Sequence, residues 1–136
     1  MQENGFYKVK TLEKEEKKKL KDIFGQLGFG AVNFTDSRNI YQFYPLHRLW
    51  NDIEIALKEG IKLLNIATEP VSIRELCGYL EGNNFKNEII PQPVVYDYKT
   101  NHALCFGGQN GYMMSKDEVM EEIKMFVESE NRLVWN

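Results

Sequence analysis

A strand–helix–strand pattern over residues 39–67 constrains the fold more than any other feature of the sequence. Residues 39–44, NIYQFY, are β-branched and aromatic and end at Pro45, which predicts a strand. Residues 46–58 repeat apolar side chains at helical spacing, and residues 61–67, IKLLNIA, form a second apolar run. A helix of this length between two strands predicts a βαβ crossover, in which the two strands lie parallel.

The rest of the chain adds flanking helices and a further strand. Two Ser-x-x-Glu pairs, Ser72 with Glu75 and Ser115 with Glu118, have the spacing of capping boxes and predict helix starts. The predicted elements are helices over 12–27, 72–80 and 115–128 and a short strand over 93–98. The sequence therefore predicts a small α/β domain over residues 1–136, with a βαβ unit of two parallel strands, an additional short strand and flanking helices.

Composition and charge favour a cytoplasmic protein. The 136 residues carry a net charge of −3, which gives no electrostatic reason to expect nucleic acid as a partner. The lysines of 14–21 are interleaved with Glu15 and Glu16, which is typical of a solvated helix face. No apolar run approaches the length of a membrane helix, so no membrane partner is expected. Two cysteines do not make a disulfide framework, and reduced thiols fit a cytosolic protein.

The glycine run at residues 107–111, GGQNG, is the motif closest to a cofactor loop. A dinucleotide-binding loop needs G-x-G-x-x-G between a buried strand and a long helix. This run has a different spacing and is followed by Tyr112 and two methionines, which favours a tight turn. We expect no cofactor site in this chain.

Catalytic and metal-binding patterns are weak. His102 and Cys105 have a spacing that a metal or a cysteine–histidine pair could use, but no orienting partner is evident beside them. We therefore predict neither catalytic nor metal-binding residues. A small independent enzyme that uses His102, Cys105 or Asp97 remains a weaker alternative.

Three polar side chains of the first strand region are the candidate binding residues. Arg38 precedes the strand, and a guanidinium there could hold a phosphate or carboxylate with two hydrogen bonds, or form a surface salt bridge. Gln42 and Tyr44 could line a sugar or nucleotide pocket, or belong to an amphipathic strand. The residues proposed for substrate binding are thus Arg38, Gln42 and Tyr44.

The stretch DSRNIYQFYPLHRLWNDIEIALKEGIKLLNIATEPVSIRELCGYL, residues 36–80, resembles the C-terminal part of an extended short-chain dehydrogenase/reductase. The family is the NAD-dependent epimerases and dehydratases of nucleotide sugars. The similarity lies in an arginine before an apolar strand, a helix ending in Ala-Leu and the segment ATEPVSIREL, and it covers about residues 34–127. Where the family's strand continues into two acidic residues, this chain has Tyr44 and Pro45.

The resemblance implies the substrate-binding part of an NAD(P)-dependent epimerase, dehydratase or reductase, inactive by itself. NAD or NADP would bind to a full-length relative, because the Gly-rich loop and the Tyr-x-x-x-Lys pair of the family are absent here. Arg38 matches an arginine that holds the diphosphate of the substrate. The implied partners are a nucleotide sugar and a Rossmann-domain half.

An alternative hypothesis is a free-standing protein-interaction module that reuses this piece of a fold. A domain separated from its Rossmann half should expose an apolar patch, for which Tyr7, Tyr41, Tyr44 and Trp135 are candidates. Self-association is expected if such a patch exists.

Overall fold

A computed structural model describes residues 11–134 of the chain, with side chains as far as residue 130. The chain forms two compact units, residues 1–35 and residues 36–136. Each unit is described by itself below. The prediction of one domain over the whole chain stays a prediction.

Over its described residues, 11–35, the first unit has helix α1, Lys14–Gln26, and a 3₁₀ turn at Ala31–Phe34. Helix α1 begins two residues later than the sequence suggested, where the Glu16 carboxylate accepts from the backbone N–H of Glu13 at 2.9 Å. The rings of Phe24, Phe29 and Phe34 form a chain of contacts with centroids 6.2 and 6.3 Å apart. Within residues 11–35 no side chain is buried.

The second unit is mainly helical. Its helices and strands, in chain order, are β1 (Ile40–Tyr41), a 3₁₀ turn (Leu46–Arg48), α2 (Leu49–Lys58), β2 (Val71–Ser72), α3 (Ile73–Glu81), a 3₁₀ turn (Ala103–Phe106) and α4 (Lys116–Val134). The predicted flanking helices are therefore confirmed. Both capping boxes are formed: Glu75 N–H donates to Ser72 Oγ at 3.2 Å, and Glu118 N–H donates to Ser115 Oγ at 3.4 Å.

The predicted βαβ unit does not appear among the described residues. Strand β1 pairs antiparallel with β2, with Ile40 opposite Ser72 and Tyr41 opposite Val71. The expected second strand, residues 61–67, has no strand structure, and Leu63 in it is 82% exposed. The prediction of two parallel strands joined by α2 was wrong, because the chain pairs with β1 only after residue 70.

Helix α3 explains why the sheet is so short. The first backbone N–H groups of a helix lack partners within the helix. Here Ile73 N–H donates to the carbonyl of Asn39 at 2.9 Å, and Arg74 N–H donates to the carbonyl of Ser37 at 3.0 Å. On the other side, Pro70 has no N–H to extend the ladder. These two carbonyls, just before β1, thus accept from the start of helix α3.

The third predicted strand, residues 93–98, makes a single parallel bridge. Ile40 N–H donates to Val94 O at 2.9 Å, and Tyr96 N–H donates to Ile40 O at 3.0 Å. The segment is thus held beside β1 without forming a regular strand.

A small apolar core lies where β2 meets α4. Val71, Met114 and Val119 are at most 1% exposed, and four half-buried apolar side chains pack against them: Phe43, Leu76, Met120 and Ile123. Backbone bonds tie the approach to β2 into this core, since Met113 N–H donates to Ala67 O at 2.7 Å and Glu69 N–H donates to Met114 O at 2.9 Å.

Candidate functional site

Arg38, the first candidate binding residue, forms a two-point salt bridge with Asp36. Its Nε and Nη2 donate to the two carboxylate oxygens at 3.0 and 2.8 Å, and Nη2 also donates to Ile90 O at 2.5 Å. The Asp36 side chain is fully buried and accepts three further bonds, from the backbone N–H groups of Arg38, Ile89 and Ile90. The hydrogen bond from the Arg38 guanidinium is the main reason that the pKa of Asp36 lies far below its usual value.

The remaining end of the Arg38 guanidinium faces a second acidic group. Nη1 lies 3.7 Å from Glu88 Oε2, and Arg74 shares the same carboxylate at 3.3 Å. The Arg38 side chain is 31% exposed. Of the contacts described for the three guanidinium nitrogens, that of Nη1 is the longest.

Gln42, the second candidate, bridges three separate segments through its amide. Its Oε1 accepts from Tyr98 N–H at 2.8 Å, and its Nε2 donates to Tyr98 O at 2.8 Å and to Thr68 O at 2.5 Å. The Gln42 amide thus pairs with the backbone N–H and C=O of Tyr98 as the backbone of a neighbouring strand would. Tyr98 is 56 positions away in the chain.

Tyr44, the third candidate, is bonded to a buried carboxylate. Its hydroxyl donates to Asp52 Oδ2 at 2.6 Å, and Asp52 is 1% exposed. Arg48 Nε lies 4.0 Å from the same oxygen, and Asn51 donates to the other oxygen at 3.4 Å. Burial, and next the bond to Asp52, raise the pKa of Tyr44 above its usual range.

The three candidates lie within residues 38–44 and connect the β1 region to different neighbours. Arg38 connects it to residues 88–90, Gln42 connects it to Thr68 and Tyr98, and Tyr44 connects it to α2. The structure therefore shows a bracing role for each of them, while their role in substrate binding stays a prediction.

Replacing Tyr44 with phenylalanine tests the strength of the bond to Asp52. The change leaves a buried carboxylate with only the Arg48 and Asn51 contacts, and we expect the free energy of unfolding to fall by about 1–3 kcal/mol. Tyr98→Phe is the matched control, because Tyr98 is 61% exposed and should change stability by no more than about 0.5 kcal/mol. Urea unfolding of both variants would show this, and equal stability of Tyr44→Phe and the wild type would contradict it.

An apolar groove lies beside Tyr44, between residues 43–47 and helix α4. Its floor contains Phe43, Val119 and Ile123, and its volume is about 710 Å³. The full lining also includes Tyr44, Pro45, Leu46, His47, Glu122, Met125, Phe126 and Ser129. Few polar groups face it, so the groove is suited to apolar side chains more than to a diphosphate.

Helix α2 exposes much of its apolar stripe. Trp50, Ile53 and Leu57 are 70%, 38% and 74% exposed. The one buried residue of the helix is Asp52. Because this stripe follows helical spacing, the three side chains form a continuous apolar surface on one side of α2. Sequence periodicity located the stripe, and the structure leaves these three side chains exposed.

The glycine run forms the predicted tight turn. Gln109 and Tyr112 exchange two backbone hydrogen bonds, at 3.0 and 2.9 Å, and the two residues between them have positive φ: 58° at Asn110 and 88° at Gly111. This is the backbone pattern of a two-residue hairpin turn.

The weaker enzyme alternative rested on His102, Cys105 and Asp97. Cys105 is exposed, and Asp97 accepts from the Tyr112 hydroxyl at 2.5 Å, which raises the pKa of Tyr112 to about 12. Within residues 11–134 no three histidine, cysteine or acidic side chains are grouped as metal ligands. Over the same range, no helix has the length and apolar character needed to cross a membrane.

Comparison with known proteins does not add a relative. No protein-family model matches the chain, and no significant match was found among curated proteins or solved structures.

Proposed function

We propose that the chain is the substrate-binding part of an NAD(P)-dependent nucleotide-sugar epimerase, dehydratase or reductase. In this proposal, the chain orients the sugar and becomes catalytic only when a Rossmann-domain half supplies the nicotinamide. The first support is the resemblance of residues 36–80 to the C-terminal part of that family.

The exposed apolar stripe of α2 is the single observation that carries the proposal. A domain that works alone gains stability by burying the apolar stripe of such a helix. This helix instead buries Asp52 and exposes Trp50, Ile53 and Leu57. We propose that this exposed stripe is the surface on which the cofactor-binding half packs.

Arg38 is the proposed contact for the diphosphate. Asp36 holds the guanidinium in a fixed orientation through two bonds, and a group fixed in advance loses little entropy when a ligand binds. A diphosphate would approach Nη1 and compete with Glu88 for it. The pairing with Asp36 is kept in the bound state.

A thermal-shift experiment with the full chain tests the proposal. UDP-, dTDP- and GDP-sugars should each be compared with the free sugar and with NAD(H). A nucleotide sugar at ten times its dissociation constant adds about 1.4 kcal/mol to the stability of the native state, which raises Tm by several degrees. If none of the nucleotide sugars raises Tm in a saturable way, the proposal is contradicted.

Two arginine variants make the test specific. Arg38→Lys keeps the positive charge but loses the planar set of N–H donors of the guanidinium. We therefore expect the affinity for the nucleotide sugar to fall by about tenfold or more. Arg74→Lys is the control, because Arg74 pairs with the same Glu88 carboxylate and should leave the affinity within about twofold. Each shift is measured from the variant's own Tm without ligand. Equal losses in both variants would remove Arg38 from the site.

A free-standing protein-interaction module is the second candidate function. The apolar lining of the groove between residues 43–47 and α4 favours it. This candidate predicts a stable protein whose Tm does not change when nucleotide sugars are added, which is the opposite of the result expected above.

A further inference from the structure

Helix α1 and the turn after it carry an apolar surface that is exposed in the first unit. Ile23, Phe24 and Leu27 share one side of α1, since they lie three and four residues apart. Phe29 and Phe34 continue this surface, because the ring of Phe29 contacts those of Phe24 and Phe34. All five side chains are between 46% and 65% exposed. We call these five residues the α1 surface.

Positive charge lies along both edges of the α1 surface. At 3.6 residues per turn, Lys17 and Lys21 lie beside Phe24, and Lys19 lies beside Ile23 on the opposite edge. Among the residues that the structure describes, none of these three lysines takes part in a salt bridge. Their ammonium groups are therefore available to meet negative charge outside the chain.

The other side of α1 is electrically balanced. It carries two lysines and two acidic residues: Lys14, Lys18, Glu15 and Asp22. The third acidic residue of the helix, Glu16, lies toward the apolar side in the first turn, where its carboxylate accepts from the backbone N–H of Glu13 at 2.9 Å. The excess of positive charge in α1 is thus concentrated beside its apolar residues.

The kinds of charged residue in this segment favour a lipid surface over a protein. Protein interfaces are depleted in lysine and enriched in arginine, whereas residues 1–35 have seven lysines and no arginine. A lysine can lay its apolar stem along lipid chains while its ammonium group reaches the phosphates. Residues 1–35 contain five acidic residues against the seven lysines, while residues 36–136 contain fifteen acidic and ten basic residues. An anionic bilayer would therefore attract the first segment and repel the second.

We propose that the α1 surface docks on an anionic lipid bilayer, with α1 lying parallel to the membrane plane. The apolar side chains enter the headgroup region, and Lys17, Lys19 and Lys21 extend to the lipid phosphates. The expectation of no membrane partner rested on the length that a spanning helix needs, and a helix that lies on the surface needs no such length. This binding requires neither a nucleotide sugar nor a cofactor-binding half.

Co-sedimentation of the full chain with lipid vesicles tests the proposal. Phosphatidylcholine vesicles that contain about 30% phosphatidylserine should bind the wild type at least about tenfold more strongly than vesicles of phosphatidylcholine alone. Sodium chloride at about 0.5 M should weaken this binding severalfold, because it screens the lysines from the lipid charges. Equal binding to the two kinds of vesicle, or no binding at about millimolar lipid, would overturn the proposal.

Two pairs of lysine substitutions test the orientation of α1. Lys17→Gln with Lys21→Gln removes two charges from one edge of the α1 surface and should weaken binding to the phosphatidylserine vesicles by about tenfold. Lys14→Gln with Lys18→Gln is the matched control, because it removes two charges with the same spacing from the far side of the helix. It should weaken binding by less than about threefold. Equal losses in the two double variants would contradict docking through the α1 surface.

A phenylalanine substitution tests whether the apolar side chains enter the bilayer. Phe24→Gln should weaken binding by at least about fivefold, because it removes an aromatic ring from the lipid-facing side. Phe126→Gln is the control: Phe126 is also exposed but lies on α4, and its replacement should change binding by less than about twofold. Circular dichroism checks that both variants are folded. Binding that is unchanged in Phe24→Gln would overturn the proposal.

Discussion

Replacing Asp36 with asparagine lowers the melting temperature of the chain by about 10 °C or more. The Asp36 carboxylate accepts five hydrogen bonds, including two from the Arg38 guanidinium, and its side chain is completely buried. An amide of the same shape has one oxygen for these donors and points its own N–H₂ group at the others. Donors are then left without acceptors in the interior, which is among the costliest local defects in a protein.

Asp97→Asn is the matched control for this variant. Asp97 is exposed and accepts a bond from the Tyr112 hydroxyl, so its replacement should lower Tm by no more than about 3 °C. Differential scanning calorimetry of the two variants beside the wild type gives both values. If Asp36→Asn melts within a few degrees of Asp97→Asn, the Asp36 cluster does not stabilise the second unit in the way that its geometry indicates.

The same cluster predicts how stability depends on pH. The hydrogen bond from the Arg38 guanidinium holds the pKa of Asp36 in the folded chain below the unfolded value of about 4. The contribution of this carboxylate is therefore fully present above about pH 4 and is lost as the pH falls from there toward the folded pKa. The difference in stability between the wild type and Asp36→Asn should be largest near about pH 7 and should narrow below about pH 4.

Replacing Gly108 with alanine lowers the free energy of unfolding by about 3 kcal/mol. A Cβ at this position would overlap the carbonyl oxygen of Tyr112 and lie 2.7 Å from the Cα of Met113, and both are backbone atoms. The backbone of Met113 is tied to Ala67, and the neighbouring Met114 is in the core. The clash can be relieved only by displacing the segment that leads into α4.

Gly107→Ala separates this steric clash from ordinary glycine strain. Gly107 has a φ of 77° and nothing within 4 Å of an added Cβ, so alanine there should lower the free energy of unfolding by about 1 kcal/mol. Urea unfolding of both variants provides the comparison. A loss in Gly108→Ala no larger than that in Gly107→Ala would mean that the segment yields to the added methyl group.

Local features of this fold were predictable because the interacting groups lie within a few residues of each other. The Ser72–Glu75 and Ser115–Glu118 boxes each join residues three positions apart, and both form as the spacing predicts. The hairpin turn within residues 107–111 likewise needs only its own glycine and asparagine backbone. These features depend on capping side chains and on turn-forming glycine and asparagine residues, which can be read directly from the sequence.

The candidate site was predictable in part. Arg38, Gln42 and Tyr44 were chosen for their hydrogen-bonding groups, and each of them does make strong hydrogen bonds. Their partners could not be predicted, because Ile90 and Tyr98 lie 52 and 56 positions further along the chain. Hydrogen-bonding capacity belongs to a residue, whereas its partner is decided by how distant segments pack.

The sequence by itself determined which segments form helices, where α3 and α4 begin and where the chain turns at residues 107–111. Only the tertiary structure decided that β1 pairs antiparallel with residues 71–72, and that α2 buries Asp52 while exposing Trp50 and Leu57. Apolar residues at helical spacing predict that a helix has an apolar side, but they do not predict what that side contacts. The contact is decided by competition between the available surfaces, and within the second unit the carboxylate of Asp52 finds its hydrogen-bond partner, Tyr44, on the inner side of α2.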